Sequence, residues 1–230
     1  MKLLISLFAL MAFLPSDQNN FDWVSFSMVK RTTANGMVTR VESNVYYKSS
    51  GEMITHFEKP LEMFVFNNEL GDIRLYNPES NTVIKSLDNR LGSQNTTFYY
   101  FLVGNSEDLG LKSAGFTLLD SKIEDMMLVT KWDSPDELKN QMDRVELVSN
   151  GDYPIFMAYL DRKGKYLKKI YYYKFDKVGR SMFPMAITEI DYLKEDSMIT
   201  KSTFGSFVFD SEKDLSMLNY EIPENARLVE

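Results

Sequence analysis

The stretch Ser43–Val83, SNVYYKSSGEMITHFEKPLEMFVFNNELGDIRLYNPESNTV, decides the fold. It opens on an aromatic strand through Tyr46 and Tyr47 and turns at Lys48-Ser49-Ser50-Gly51. A strand over Met53 to Glu58 stops at Lys59-Pro60, where proline removes the N–H that a ladder needs. Leu61 to Phe66 reads as the next strand, Asn67 to Gly71 as a turn, and Asp72 to Tyr76 as another strand before Asn77-Pro78. Short apolar runs separated by Gly, Pro and Asn are the pattern of an antiparallel meander.

The pattern continues on both sides. Upstream, Trp23 to Ala34 and Met37 to Lys48 flank Asn35-Gly36, two residues that tolerate positive φ and so suit a type I′ hairpin. Downstream, strands are expected at Phe116 to Leu119, Asp125 to Trp132, Asp143 to Ser149, Pro154 to Asp161, Tyr166 to Asp176, Ala186 to Leu193 and Ser197 to Phe209. Their turns fall at Asn150-Gly151-Asp152, Arg162-Lys163-Gly164 and Lys177-Val178-Gly179. Thr96 to Val103 is apolar on every side, so periodicity leaves helix and buried strand both open. Glu107 to Leu111 reads as a short helical turn entered through Ser106.

Composition narrows the function. A chain of 230 residues, 44% hydrophobic, can bury one sizeable core, and one domain over residues 21–230 is expected. The formal net charge of -7, with both signs interspersed, offers no basic face for a phosphate backbone, so nucleic acid is not an expected partner. There is no cysteine, hence no disulfide, thiolate metal site, thiol nucleophile or acylated lipoprotein cysteine. Residues 1–20 read as a signal peptide: Met1-Lys2 precedes an apolar run from Leu3 to Leu14, short of the roughly 20 residues that span a bilayer. The expected mature start lies between Ser16 and Phe21, which places the protein in the periplasm, without a lipid anchor.

The motif order in Ser43–Pro78 resembles the periplasmic outer-membrane lipoprotein carrier and lipoprotein-sorting (LolA-like) family, whose members carry a strand, a K-R-P turn, a strand, D-G-K and L-W-x-Y-x-P in this order. Here the corresponding residues are Lys48-Ser49-Ser50 at the first turn, Pro60 after the next strand, Gly71-Asp72 and Leu75-Tyr76-Asn77-Pro78. The closing Phe207-Val208-Phe209 and Tyr220-Glu221-Ile222-Pro223 are similar to the family's last segment. The resemblance implies a mainly β fold: a half-open, strongly curved antiparallel β-barrel whose apolar concave face is covered by short helices. It places a helix at Thr96 to Val103, with Thr97 where the family has proline. It also implies a soluble carrier, monomeric, that binds the acyl chains of lipoproteins or related lipids for transfer to the outer membrane, with inner- and outer-membrane sorting proteins as partners.

The residues support such a cavity by themselves. Alternation puts Tyr171, Tyr173 and Phe175 on one face and Ile170 with Tyr172 on the other. Leu61, Met63 and Val65 share a face opposite Phe64 and Phe66. Fourteen methionines, among them Met28, Met53, Met63, Met126, Met127, Met157 and Met185, suit a surface that adapts to flexible apolar ligands. The expected acyl-chain cavity is lined by Tyr46, Phe57, Met63, Tyr76 and Phe101; an ordinary barrel core rich in methionine and tyrosine is the other reading of the same residues. The family arginine that ties the lid across the cavity is replaced by Ser49, and little room remains before Trp23 for an N-terminal helix.

Catalytic patterns are thin. His56 is the only histidine, no Gly-x-Ser-x-Gly elbow accompanies it, and no phosphate loop, EF-hand or H-E-x-x-H helix occurs. The acidic pairs, such as Glu124-Asp125 and Asp210 with Glu212 and Asp214, fall at turns where capping explains them. The expectation is a binding protein without enzymatic activity, metal or cofactor; an envelope sensor, regulatory or structural interaction module on the same fold is the alternative. The basic run Arg162, Lys163, Lys165, Lys168 and Lys169 surrounds a hairpin tip able to touch anionic headgroups or an acidic partner.

Overall fold

The computed structural model describes residues 21–88, 92–151, 153–193 and 196–229. The signal-peptide reading falls on residues 1–20 and so lies outside the described residues. The first hairpin forms as the Asn-Gly signal requires: β1 (Trp23–Ala34) and β2 (Met37–Lys48) pair along their whole length, with Asn35 at φ 50° and Gly36 at φ 72°. β3 (Met53–Lys59), β4 (Met63–Asn67) and β5 (Asp72–Asn77) follow as a meander. Leu61, read as the start of a strand, instead lies in the turn and is exposed. β6 (Thr82–Leu87) extends the meander by a strand that the sequence reading missed. Its residues after Val83 alternate poorly, with Ile84 to Leu87 all exposed.

After the covering segment come β7 (Thr117–Glu124), β8 (Met127–Asp133), β9 (Arg144–Asn150), β10 (Tyr153–Leu160), β11 (Tyr166–Val178), β12 (Ser181–Tyr192) and β13 (Ser197–Phe209). β12 starts five residues before the expected Ala186, because the strand runs through Pro184. That proline lies opposite Phe175, beside the step at Lys174 and Met185 where the ladder lapses, and such an interruption tolerates the missing N–H. β14 (Arg227–Leu228) closes the chain.

All strands belong to one curved, unclosed sheet in the order β14-β6-β5-β4-β3-β2-β1-β13-β12-β11-β10-β9-β8-β7. Every pairing is antiparallel except that of β14 with β6. Only two short α-helices occur among the described residues, α1 (Tyr99–Leu102) inside the expected Thr96 to Val103 segment and α2 (Leu215–Leu218) near the end. Glu107 to Leu111 is not helical: Leu109 adopts φ 48°, and the Gly110 amide donates to the Asp108 carboxylate at 2.9 Å, which makes a turn of it.

The sheet's inner face carries the main core. Val24 and Phe26 of β1, Val45 and Tyr47 of β2, Val145 and Leu147 of β9, Ile170 and Tyr172 of β11, and Phe183 and Ile187 of β12 meet there, under Phe98, Phe101 and Leu102 of the covering segment. Such ring-rich packing excludes water and contributes most of the fold's stability. Phe26 alone contacts Phe98, Phe183, Phe204 and Phe207.

Candidate functional site

The site is built from the inner face and what covers it. The segment 92–116 crosses that face, and its start is tied to two turns of the meander. The Ser93 hydroxyl donates to the Gly51 carbonyl at 2.8 Å, and the Ser93 amide to the Asn68 carbonyl at 2.9 Å. Gly92 is required there, since a β-carbon would sit 2.6 Å from the Glu69 carbonyl oxygen. These bonds hold the start of the cover, and Ser49 takes no part, donating its amide to the Asp22 carbonyl. Further on, Tyr100 lies against Gly110, where any side chain would strike its ring.

Beneath the cover little space is left. A cavity of about 180 Å³ lies between Tyr100, Leu111 and Phe116 above and Met157, Ile170 and Tyr172 below. Another, of about 190 Å³, lies among Phe21, Phe101, Leu102, Val178 and Phe209. Both are smaller than the roughly 300 Å³ at which ligand pockets usually begin. Burial, with the neighbouring Tyr99, pushes the Tyr47 phenol well above its ordinary value, and burial does the same to Tyr172, so both stay neutral and add no charge to this face.

The apolar inner face does not end with the cover. On β3 to β6 it continues through Phe57, Met63, Val65 and Leu75, all half-buried, to the exposed Ile84. On the far side it continues through Leu118, Leu128 and Ile123, the row next to the buried Trp132. The sheet is therefore packed at its centre and open on both inner flanks.

The outer face of β2 to β5 is different. Ile54, Phe64, Phe66 and Tyr76 are buried there under the chain's last segment, with Tyr46, Met217, Tyr220, Ile222 and Ala226 around them. Tyr220 stacks on Phe64 at 4.5 Å between ring centres, and His56 stacks on Phe64 at 4.2 Å while meeting Glu62 at 3.0 Å. The histidine is a packing residue. The segment is pinned by Asp210, whose carboxylate accepts the Asp22 and Trp23 amides, and by Asp214, which accepts the Ser25 hydroxyl at 2.7 Å. A groove of about 510 Å³ remains between this segment and the sheet, lined by Tyr46, Ile54, Phe66, Arg74, Tyr220 and Ile222 among others.

The five expected cavity residues thus separate. Phe57 and Met63 stand opposite one another on the open inner flank, Tyr46 and Tyr76 lie on the outer face beneath the last segment, and Phe101 is 1% exposed within the central core. Face alternation also fails in β11. Lys174 adopts φ 58° and breaks the alternation without shifting the pairing with β12, so Phe175 turns to the inner face with Ile170 and Tyr172 and touches Phe101, instead of joining Tyr171 and Tyr173. Val65, which the alternation had put on Met63's face, belongs to the open flank with Leu75 and Ile84, though none of the three was among the expected cavity residues. The alternation of β4, extended across β5, could have found the first two.

Among the described residues no group of three or more His, Asp or Glu stands where it could hold a metal ion, and no helix is long and apolar enough to cross a membrane. No protein-family model matches the sequence, and no curated protein does. Solved structures do match. A DUF1329 family protein from Desulfovibrio piger is 13% identical, with 86% of this chain and 90% of that one covered and a TM-score of 0.58. A LolA superfamily protein from Nitrosomonas europaea is 15% identical over 87% and 91% of the two chains, with a TM-score of 0.57. A candidate outer membrane lipoprotein-sorting protein domain from Vibrio parahaemolyticus is 15% identical over 85% and 90%, also at 0.57. At such identities the likeness concerns the backbone: this chain has the half-open, curved-sheet fold of the LolA superfamily.

Proposed function

We propose that this protein is a non-enzymatic carrier in the periplasm that shields acyl chains of lipoproteins or related lipids on the inner face of its sheet. The observation that carries the reading is the continuation of the apolar inner face beyond its cover, at Phe57, Met63, Val65, Leu75 and Ile84. A side-chain row left half-exposed in an otherwise packed sheet costs stability unless something covers it. An acyl chain is a suitable cover, since each methylene buried contributes about 0.8 kcal/mol. The spaces beside segment 92–116, about 180 and 190 Å³, are too small for a long chain, so binding uses the open flank first and extends inward only as the cover shifts. Export through residues 1–20 and exchange with inner- and outer-membrane sorting proteins complete the proposal.

The test is mass spectrometry of lipids and lipopeptides that co-purify with the protein from the cell envelope. Stoichiometric acylated species support the carrier; their absence from a folded, exported protein contradicts it. The tight central packing favours one second reading, an interaction module of the envelope that carries no cargo, and that reading predicts the empty result.

A further inference from the structure

β7 is the last strand of the sheet, and every one of its residues is exposed. The opposite end is finished by the two-residue β14 laid on β6. A long open edge is a template for pairing with another chain, and natural proteins usually blunt it.

The hairpin fixes which groups face that edge. β7 and β8 are joined by Asp125 and Met126, at φ 50° and 63°, a turn in which the flanking Glu124 and Met127 exchange backbone hydrogen bonds. Alternation then directs the backbone groups of Lys122 and Glu124 to β8, and those of Ser121 and Ile123 to the free edge. The Ser121 amide is met there only by its own neighbour, the Asp120 carboxylate, at 2.9 Å.

About Ser121 the strand reads Leu119-Asp120-Ser121-Lys122-Ile123: apolar, acid, hydroxyl, base, apolar. An antiparallel two-fold through Ser121 sets Asp120 opposite the second copy's Lys122 and brings Leu119, the extra residue of the bulge between Leu118 and Asp120, toward the second copy's Ile123, and each pair occurs twice. Both kinds of cross-strand pair are favourable. The pairing also covers side chains that are unusually open, Leu119 at 59% and Ile123 at 78%. Lys122 now reaches only Glu124 of its own strand, at 2.7 Å, with both side chains largely in solvent.

We propose that the free edge of β7 is a self-recognition surface, through which two copies of this chain pair antiparallel about Ser121 into one continuous sheet. The contact is isologous, closes after two copies, and is small, so the dimer is reversible. It stands on the strand's geometry and sequence and is independent of what the inner face binds.

Sedimentation equilibrium of the full chain over a range of concentrations tests it. The wild type is expected to show a monomer–dimer equilibrium. Asp120→Lys places lysines opposite lysines and Lys122→Asp places aspartates opposite aspartates, so each variant alone self-associates at least about tenfold more weakly. Mixed together they restore both pairs, and a heterodimer of wild-type strength appears. Ser121→Pro, which removes the central N–H from an edge position that tolerates proline, also abolishes the dimer while leaving the thermal transition in place. A wild type that is monomeric up to its solubility limit overturns the proposal. So does a dimer that survives either charge reversal, or a mixture of the two reversed variants that fails to associate.

Discussion

The two faces of β3 to β5 are made from the same short strands, yet one is closed by the chain and the other is not. On the outer face Ile54, Phe64, Phe66 and Tyr76 disappear beneath Tyr220 and Ile222, contributed from far along the sequence. On the inner face Phe57, Met63, Val65 and Leu75 remain half-exposed, although the covering segment starts from the turns of these strands, at Asn68 and Gly51. A fold that can pin a cover over one aromatic row has the means to cover the other. The difference teaches that the outer row is buried beneath the last segment, beside a groove of about 510 Å³, while the inner row is left without any cover, and this is the physical basis for assigning binding to the inner flank.

Breaking the sealed regions should have the largest effects. Phe101→Asp puts an unpaired charge among Tyr172, Phe175 and Phe183 and should abolish cooperative unfolding, as seen in near-ultraviolet circular dichroism. Phe64→Ala removes the ring between His56 and Tyr220 and should cost about 3–5 kcal/mol in urea denaturation. A smaller loss, about 2 kcal/mol, is expected for Tyr220→Ala, which strips the outer cover but leaves the sheet. By contrast Met63→Asp, on the open flank, should change stability by less than about 1 kcal/mol, because water already reaches the site.

A pH series sharpens the same contrast. Burial raises the Tyr172 phenol well above 10.0 and raises Tyr159 as well, so both stay neutral in the folded protein. A group whose folded pKa is raised contributes stability that is fully present below its unfolded pKa and is lost as pH rises through the folded value. Stability should therefore hold from neutral pH to about pH 10 and fall as pH rises further, which urea denaturation at a series of pH values measures. Tyr172→Phe should lessen that fall.

Much of the sheet was legible because turns declare themselves locally. Asn35-Gly36 fixed β1 and β2 to the residue, and Ser197 to Phe209 was read with both its ends. What lay beyond reach depended on partners distant in sequence or on backbone irregularities. Nothing local in Tyr76 says that Tyr220 will lie beside it, and nothing in Lys174 says that it will adopt a positive φ and turn Phe175 inward. For the same reason the expected cavity residues divide between the two faces and the core. Phe57 and Met63 fell on one inner row because β3 and β4 pair regularly. Tyr46 and Tyr76 followed the opposite parity and went to the outer face, and Phe101 lay in a covering helix whose depth depends on the whole core.

The account turns on whether the open inner flank binds acyl chains, and titration of a fluorescent fatty-acid probe into wild-type and Met63→Asp protein tests it most directly. The account predicts saturable binding to the wild type and a loss of at least about tenfold in affinity for Met63→Asp, with the melting temperature nearly unchanged. Absence of saturable binding to the wild type, or affinity unaltered by Met63→Asp, would contradict it.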